Sequence, residues 1–136
     1  MFSSKRLVFL KDTDATGVIY FTSLLQYSLE AFELFLQQEN VTLSHFLSKG
    51  YLFPIVHAES DYKAPLKVGD EISVHLHIGV ISKRSFSVEA TIRRLSDGVL
   101  AGSTKIIHAF LLKGSDVSSE IPQEIVSLLE KRLDKG

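Results

Sequence analysis

Ser23-Leu24-Leu25-Gln26-Tyr27-Ser28-Leu29-Glu30-Ala31-Phe32-Glu33-Leu34-Phe35-Leu36-Gln37-Gln38 decides the fold. Leu24, Leu25, Ala31, Phe32, Phe35 and Leu36 follow the three-and-four spacing of one helical face. Tyr27, Leu29 and Leu34 fall elsewhere on the same wheel. Glu30 and Glu33 are the only charges before Glu39. A helix apolar nearly all round must be covered on several sides. The rest of the chain therefore has to supply a wrapping surface.

Upstream, residues 3–10 read as a strand, followed by a polar loop with a glycine. Downstream, Leu43, Phe46 and Leu47 predict a short second helix ended by Gly50. The period then changes to two. Val56, Ala58, Ser60 and Tyr62 alternate with His57, Glu59, Asp61 and Lys63, until Pro65 and the 67–70 turn. Ile72, Val74, Leu76 and Ile78 alternate with Ser73, His75 and His77. Phe86, Val88, Ala90 and Ile92 alternate with Ser87, Glu89, Thr91 and Arg93. Ser96-Asp97-Gly98 is a hairpin signal. Residues 99–112 read as one long final strand, apolar on both faces near Ile106, Ile107, Ala109 and Phe110, as a central strand is. After a linker at 114–119, Pro122 opens an amphipathic helix with Ile125, Val126, Leu129 and Leu133 inward. A strand, a buried helix and then hairpin-linked strands predict an α+β fold with an antiparallel sheet. One domain is expected over 1–136, with its core at about 3–112 and the linker and last helix at 113–136.

Composition narrows the chemistry. The chain has 136 residues, 15 Lys and Arg against 16 Asp and Glu, and formal net charge −1. Such balance implies no electrostatic pull toward nucleic acid or a membrane surface. With no cysteine, a disulfide scaffold, a thiolate nucleophile and a zinc ribbon are excluded. The first residues lack the pattern of a signal peptide, and no apolar run reaches membrane-spanning length. A cytoplasmic protein is expected.

Asp12-Thr13-Asp14-Ala15-Thr16-Gly17-Val18-Ile19-Tyr20-Phe21 joins the first strand to the buried helix. It sets a carboxylate and a glycine turn beside a helix start, where backbone N–H groups lack intrahelical partners. Together these can attack a carbonyl and hold the oxygen that turns negative. The plainer alternative is a polar loop with a capping aspartate.

Asp12-x-Asp14-x-x-Gly17-x-x-Tyr20 after an apolar strand resembles the signature of the 4-hydroxybenzoyl-CoA thioesterase-like hotdog proteins. The likeness spans roughly residues 3–112. It implies a five-stranded antiparallel sheet wrapped around the long helix, with a C-terminal helix outside the core. Leu52-Phe53-Pro54-Ile55-Val56-His57-Ala58-Glu59-Ser60-Asp61-Tyr62-Lys63-Ala64-Pro65 is similar to the cyanobacterial and plant branch. That branch hydrolyses 1,4-dihydroxy-2-naphthoyl-CoA on the route to phylloquinone or menaquinone. The resemblance implies that Asp14 is the catalytic carboxylate and that Asp12 is structural. It also implies that Gly17 permits the turn and that the Phe21 backbone N–H polarises the thioester carbonyl. Ala15-Thr16 departs from the family's usual pair, and Phe21 stands where the short-chain branch often has histidine, which favours an aryl substrate. No cofactor and no metal are implied. The expected partner is an acyl-CoA, in at least a homodimer and more fully a homotetramer.

Tyr20, His57, Glu30, Lys83, Arg84 and Ser85 complete the substrate-binding set. His57, within the branch-like segment, is a candidate to bond a substrate hydroxyl or carbonyl; the alternative is a structural histidine. Lys83-Arg84-Ser85 lies in a turn and could meet the phosphates of coenzyme A, or could be an ordinary solvated hairpin. Glu30 could orient water, or could pair at a subunit contact. His75 and His77 share a strand face, more simply as polar outer residues than as a metal pair. His45 and His108 read as structural. Rival functions are hydrolysis of other aryl- or short-chain acyl-CoAs and an acyl-CoA-binding module without turnover.

Overall fold

The computed structural model describes residues 2–135. In chain order the elements are β1 (Phe2–Leu7), a 3₁₀ turn (Leu10–Asp12), α1 (Ser23–Gln38), α2 (Leu43–Ser48), β2 (Tyr51–Leu52), β3 (Ile55–Tyr62), β4 (Glu71–Ile81), β5 (Ser85–Arg94), β6 (Leu100–Ala109), β7 (Leu111–Leu112), α3 (Gln123–Arg132) and β8 (Asp134–Lys135). The main sheet runs β1-β4-β5-β6-β3, all antiparallel, and β2 pairs with β7 in a small separate ladder.

α1 lies on the inner face of this sheet. Ile72, Val74, Leu76 and Ile78 of β4 and Phe86, Val88, Ala90 and Ile92 of β5 are all buried, as are Leu24, Tyr27, Ala31, Phe32, Phe35 and Leu36 of α1. Burying each large side chain contributes roughly 1.5–3 kcal/mol. The helix and sheet also meet closely at Gly102, where a Cβ would stand 2.5 Å from Asp61 O and 2.6 Å from Leu24 Cδ1. One turn on, the Ser28 hydroxyl donates to Leu24 O (2.9 Å) and lies 2.6 Å from Thr104 Oγ1. Its single proton is thus engaged, and the Thr104 hydroxyl donates to it.

The path from β3 to β4 sets the site. β3 is one edge of the sheet, while β4 sits beside β1 near the other. The connection crosses beneath the start of α1, with Leu66 fully buried. Its backbone clamps the acidic loop: Ile19 N–H donates to Leu66 O (3.0 Å), and Val18 bridges Lys67.

Several expectations need revision. The first strand stops at Leu7, because the chain turns through Leu10–Asp12 to bury the Asp12 side chain. The final strand breaks at Phe110, whose ring is buried, and only Leu111–Leu112 continues, against β2. The sheet gains a sixth short member: β8 runs parallel to β4, with His77 opposite Asp134, just past the end of β1. α1 is not fully wrapped, since Gln26, Glu30, Glu33, Leu34 and Gln37 form an exposed stripe. Among the described residues, no helix is long and apolar enough to cross a membrane.

Candidate active site

The loop between β1 and α1 is a tight hairpin. Asp14 N–H donates to Val18 O (3.0 Å), Gly17 N–H donates to Asp14 O (3.1 Å), and Thr13 bridges Ile19. Gly17 has φ +86°, a left-handed conformation that costs a Cβ-bearing residue roughly 1–2 kcal/mol. The two aspartates of this hairpin point to different surroundings.

Asp12 is buried. Its Oδ2 accepts from Arg6 Nη1 (2.5 Å), Phe9 N–H (2.9 Å) and the Tyr27 hydroxyl (3.1 Å). Desolvation pushes its pKa upward, but the Arg6 guanidinium, the Phe9 amide and the Tyr27 hydroxyl outweigh it and hold the carboxyl below its usual value. Burial, and then the Asp12 charge, push the Tyr27 phenol well up. The Asp12 carbonyl accepts from Tyr20 N–H (2.7 Å) and from the Ser23 hydroxyl (2.8 Å). Asp12 thus ties β1, the loop and the first turns of α1 together.

Asp14 is exposed in the single chain, and Thr16 donates to its Oδ1 through both its N–H (2.8 Å) and its hydroxyl (2.5 Å). These two bonds lower the Asp14 pKa, so the carboxylate is ionised at neutral pH. Beside it, Tyr20 and Phe21 pack ring against ring at 4.7 Å, and both are exposed. Ser23 N–H is taken by Tyr20 O (2.9 Å), and no side chain caps the helix at Thr22. Among the described residues no acceptor takes the Phe21 N–H, which leaves it available to a ligand oxygen.

The other expected residues lie elsewhere. Glu30 is bound to Arg6, with Oε1 2.6 Å from Nε and Oε2 3.2 Å from Nη2. His57 stands on the outer face of β3, half exposed, 3.1 Å from Glu59 Oε1. Lys83, Arg84 and Ser85 form the turn between β4 and β5, where Ser82 N–H donates to Ser85 O (2.8 Å) and Phe110 N–H to Arg84 O (3.0 Å). Lys83 and Arg84 are exposed. This turn lies at the opposite end of the sheet from Asp14, because β4 starts beside the Asp14 loop and ends at the turn. Its 11 residues place the two ends about 30 Å apart. His75 and His77 pack together on the outer face with ring centroids 4.4 Å apart. His75 contacts Ser3 Oγ (2.8 Å) and Asp134 Oδ2 (3.1 Å), and His77 contacts Thr91 Oγ1 (2.7 Å).

A feature missed in the sequence lies at the turn's end of the sheet. A cavity of about 180 Å³ sits beside the second half of α1, walled by Leu29, Phe32, Leu36, Phe53, Ile55 and His108, with Glu33 and Leu43 completing the lining. His108 is buried, stacked 5.5 Å from Phe32 and 5.2 Å from Phe86. The sequence signal was a polar residue at an inward position of β6, between Ile106 and Phe110.

Comparison with known proteins gives one consistent result. A family profile described as "Thioesterase-like superfamily" matches residues 8–129. The 1,4-dihydroxy-2-naphthoyl-CoA hydrolase of Nostoc punctiforme is 35% identical over 133 residues, covering 95% of this chain and 86% of that protein. Its counterpart in Synechocystis sp. is 32% identical over 123 residues, covering 90% and 89%. The crystal structure of a 1,4-dihydroxy-2-naphthoyl-CoA thioesterase from Synechocystis superimposes with a TM-score of 0.89 at 30% identity, covering 96% of each chain.

Proposed function

Because the chain belongs to the thioesterase-like superfamily, we propose that it hydrolyses an aromatic acyl-CoA, 1,4-dihydroxy-2-naphthoyl-CoA above others, to the free acid and coenzyme A. The likeness to the cyanobacterial hydrolases over nine-tenths or more of the chain carries this reading. Asp14 is the reacting carboxylate. As nucleophile, its oxygen bonds to the thioester carbon, the C–S bond breaks with its electron pair on sulfur, and water then cleaves the resulting anhydride. As general base, it takes a proton from the water that attacks instead. Either route builds negative charge on the carbonyl oxygen, which the Phe21 N–H holds; such a donor lowers the barrier by about 3 kcal/mol. Thiolate leaves readily, so no strong acid is needed.

The functional unit in this reading is a dimer built on the β3 edge. Ile55, Val56 and Tyr62 of this edge strand are exposed, and unpaired strand edges invite pairing. Two-fold antiparallel pairing brings the Tyr62 end of one β3 beside the Ile55 end of its partner. The hairpin carrying Asp14 in one subunit then meets the cavity and basic turn of the other. Lys83 and Arg84 hold the phosphates of coenzyme A, with Ser85 beside them.

The test is a panel of acyl-CoAs assayed by free-thiol release. 1,4-Dihydroxy-2-naphthoyl-CoA is expected to have the highest kcat/KM. Equal efficiency with acetyl- or hexanoyl-CoA contradicts the aryl assignment.

A further inference from the structure

Within the hydrolase reading, on which this inference rests, one buried side chain has no part in the mechanism. We propose that the cavity beside α1 receives the substrate's aryl ring, and that His108 Nε2 accepts a hydrogen bond from a ring hydroxyl remote from the thioester.

The tautomer follows from the contacts. His108 Nδ1 lies 3.2 Å from the Phe53 carbonyl oxygen. A carbonyl oxygen only accepts, so Nδ1 carries the proton. Burial lowers the His108 pKa, against a smaller upward effect of the Phe53 bond, and keeps the ring neutral. Nε2 therefore presents a lone pair, and among the described residues no donor meets it. His108 lines the cavity, whose other walls are apolar side chains apart from Glu33. Glu33 is exposed, so His108 is the buried acceptor in this lining and suits one donor on an otherwise apolar ligand.

Size and place agree. An apolar cavity of roughly 150 Å³ takes a benzene ring, and this one is about 180 Å³. It has room for an aromatic ring. Its lining includes Ile55, which is 47% exposed on the β3 edge. That is the edge along which the neighbouring subunit's Asp14 is proposed to arrive. A ring seated against Phe32 and Phe53 would leave its thioester at the mouth and its far hydroxyl at His108. For 1,4-dihydroxy-2-naphthoyl-CoA that group is the 4-hydroxyl.

The comparison that tests this is 1,4-dihydroxy-2-naphthoyl-CoA against 1-hydroxy-2-naphthoyl-CoA, in the wild type and in His108→Phe, which keeps the stacked ring. The wild type is expected to favour the dihydroxy substrate by about 10- to 100-fold in kcat/KM, the effect of an unpaired buried acceptor. His108→Phe is expected to bring the ratio near one, and His108→Gln, which retains an acceptor, to restore part of it. An undiminished ratio in His108→Phe overturns the assignment. Binding of 1-naphthol and of naphthalene, followed by fluorescence, reads the cavity without turnover. A naphthol preference lost in His108→Phe supports the proposal, and equal binding of both ligands by the wild type overturns it. For a variant that does not fold, the wild-type His108 Nε2 nuclear magnetic resonance is read instead. It should shift with 1-naphthol and stay with naphthalene; no shift with either overturns the proposal. Absence of turnover for every aryl-CoA, with the naphthol preference intact, overturns the hydrolase reading alone.

Discussion

The two ends of the sheet are built for different tasks. One end carries Asp14, two exposed aromatic rings and the Phe21 N–H, all on a hairpin clamped by Asp12 and by the crossover connection. The other carries an apolar cavity, a neutral imidazole and a basic turn. The first end has reactive groups and little to enclose a substrate. The second has an enclosed apolar space, and the carboxylate that lines it, Glu33, lies on the exposed stripe of α1. About 30 Å of β4 separates them. In the proposed reading neither end alone is a complete site, which is the physical argument for the proposed second subunit.

The largest expected effect falls at the reactive end. Asp14→Asn removes the proposed nucleophile or base while keeping the shape, so kcat should drop roughly a thousandfold or more. Binding of coenzyme A, followed by calorimetry, should stay near wild type because it belongs to the other end. Loss of both together would break the division.

Asp12→Ala sharpens the contrast within the same hairpin. It leaves Arg6, only 15% exposed at its side chain, with Glu30 as its carboxylate partner, and strips the Phe9 N–H and the Tyr27 hydroxyl of their acceptor. Stability should fall by about 3 kcal/mol, measured by urea unfolding. Because the folded Asp12 pKa lies below its ordinary value of 3.8, its contribution is present above that value and disappears as pH falls through the folded pKa. Asp12→Ala should therefore flatten the acid limb of the stability curve.

At the anchoring end, Lys83→Ala with Arg84→Ala should raise KM about tenfold and leave kcat nearly unchanged, because the proposed phosphate contacts would persist through the transition state. Steady-state kinetics read the split, and substrates truncated at pantetheine should show no difference. The smallest effect is on pH. Thr16→Val deletes a hydroxyl that donates to Asp14, so the Asp14 pKa should rise toward its ordinary value. Activity needs the ionised carboxylate and fails as pH drops through that pKa, so the acid limb of the pH–rate profile should move to higher pH.

How far each end was legible in the sequence differs for physical reasons. The reactive end is local: Asp12, Asp14, Gly17 and Phe21 lie within ten positions, and their relation is set by one hairpin and one helix start. The period-two runs of β4 and β5 and the apolar α1 likewise announce themselves through side-chain spacing. The anchoring end is assembled from α1, the segment before β3, and β6. No short-range pattern ties Phe32, Phe53 and His108 together, and His108 reads as a structural histidine until its Nδ1 contact with Phe53 O is seen. Glu30 was open to two readings because its partner, Arg6, lies 24 positions away. The β8 strand escaped notice because two residues carry no periodicity, and the outward placement of His57 follows from the β3–β6 register.

Mixed dimers test the composite site most directly. Asp14→Asn subunits are combined with subunits carrying Lys83→Glu and Arg84→Glu, and hydrolysis is measured at substrate far below KM. If each site draws on both chains, a mixed dimer holds one intact site and one doubly defective site. Random mixing should then recover roughly a quarter of wild-type activity from two nearly inactive parents. If each site lies within a single chain, no mixed dimer contains an intact one. Activity no greater than the average of the two parents would contradict the account.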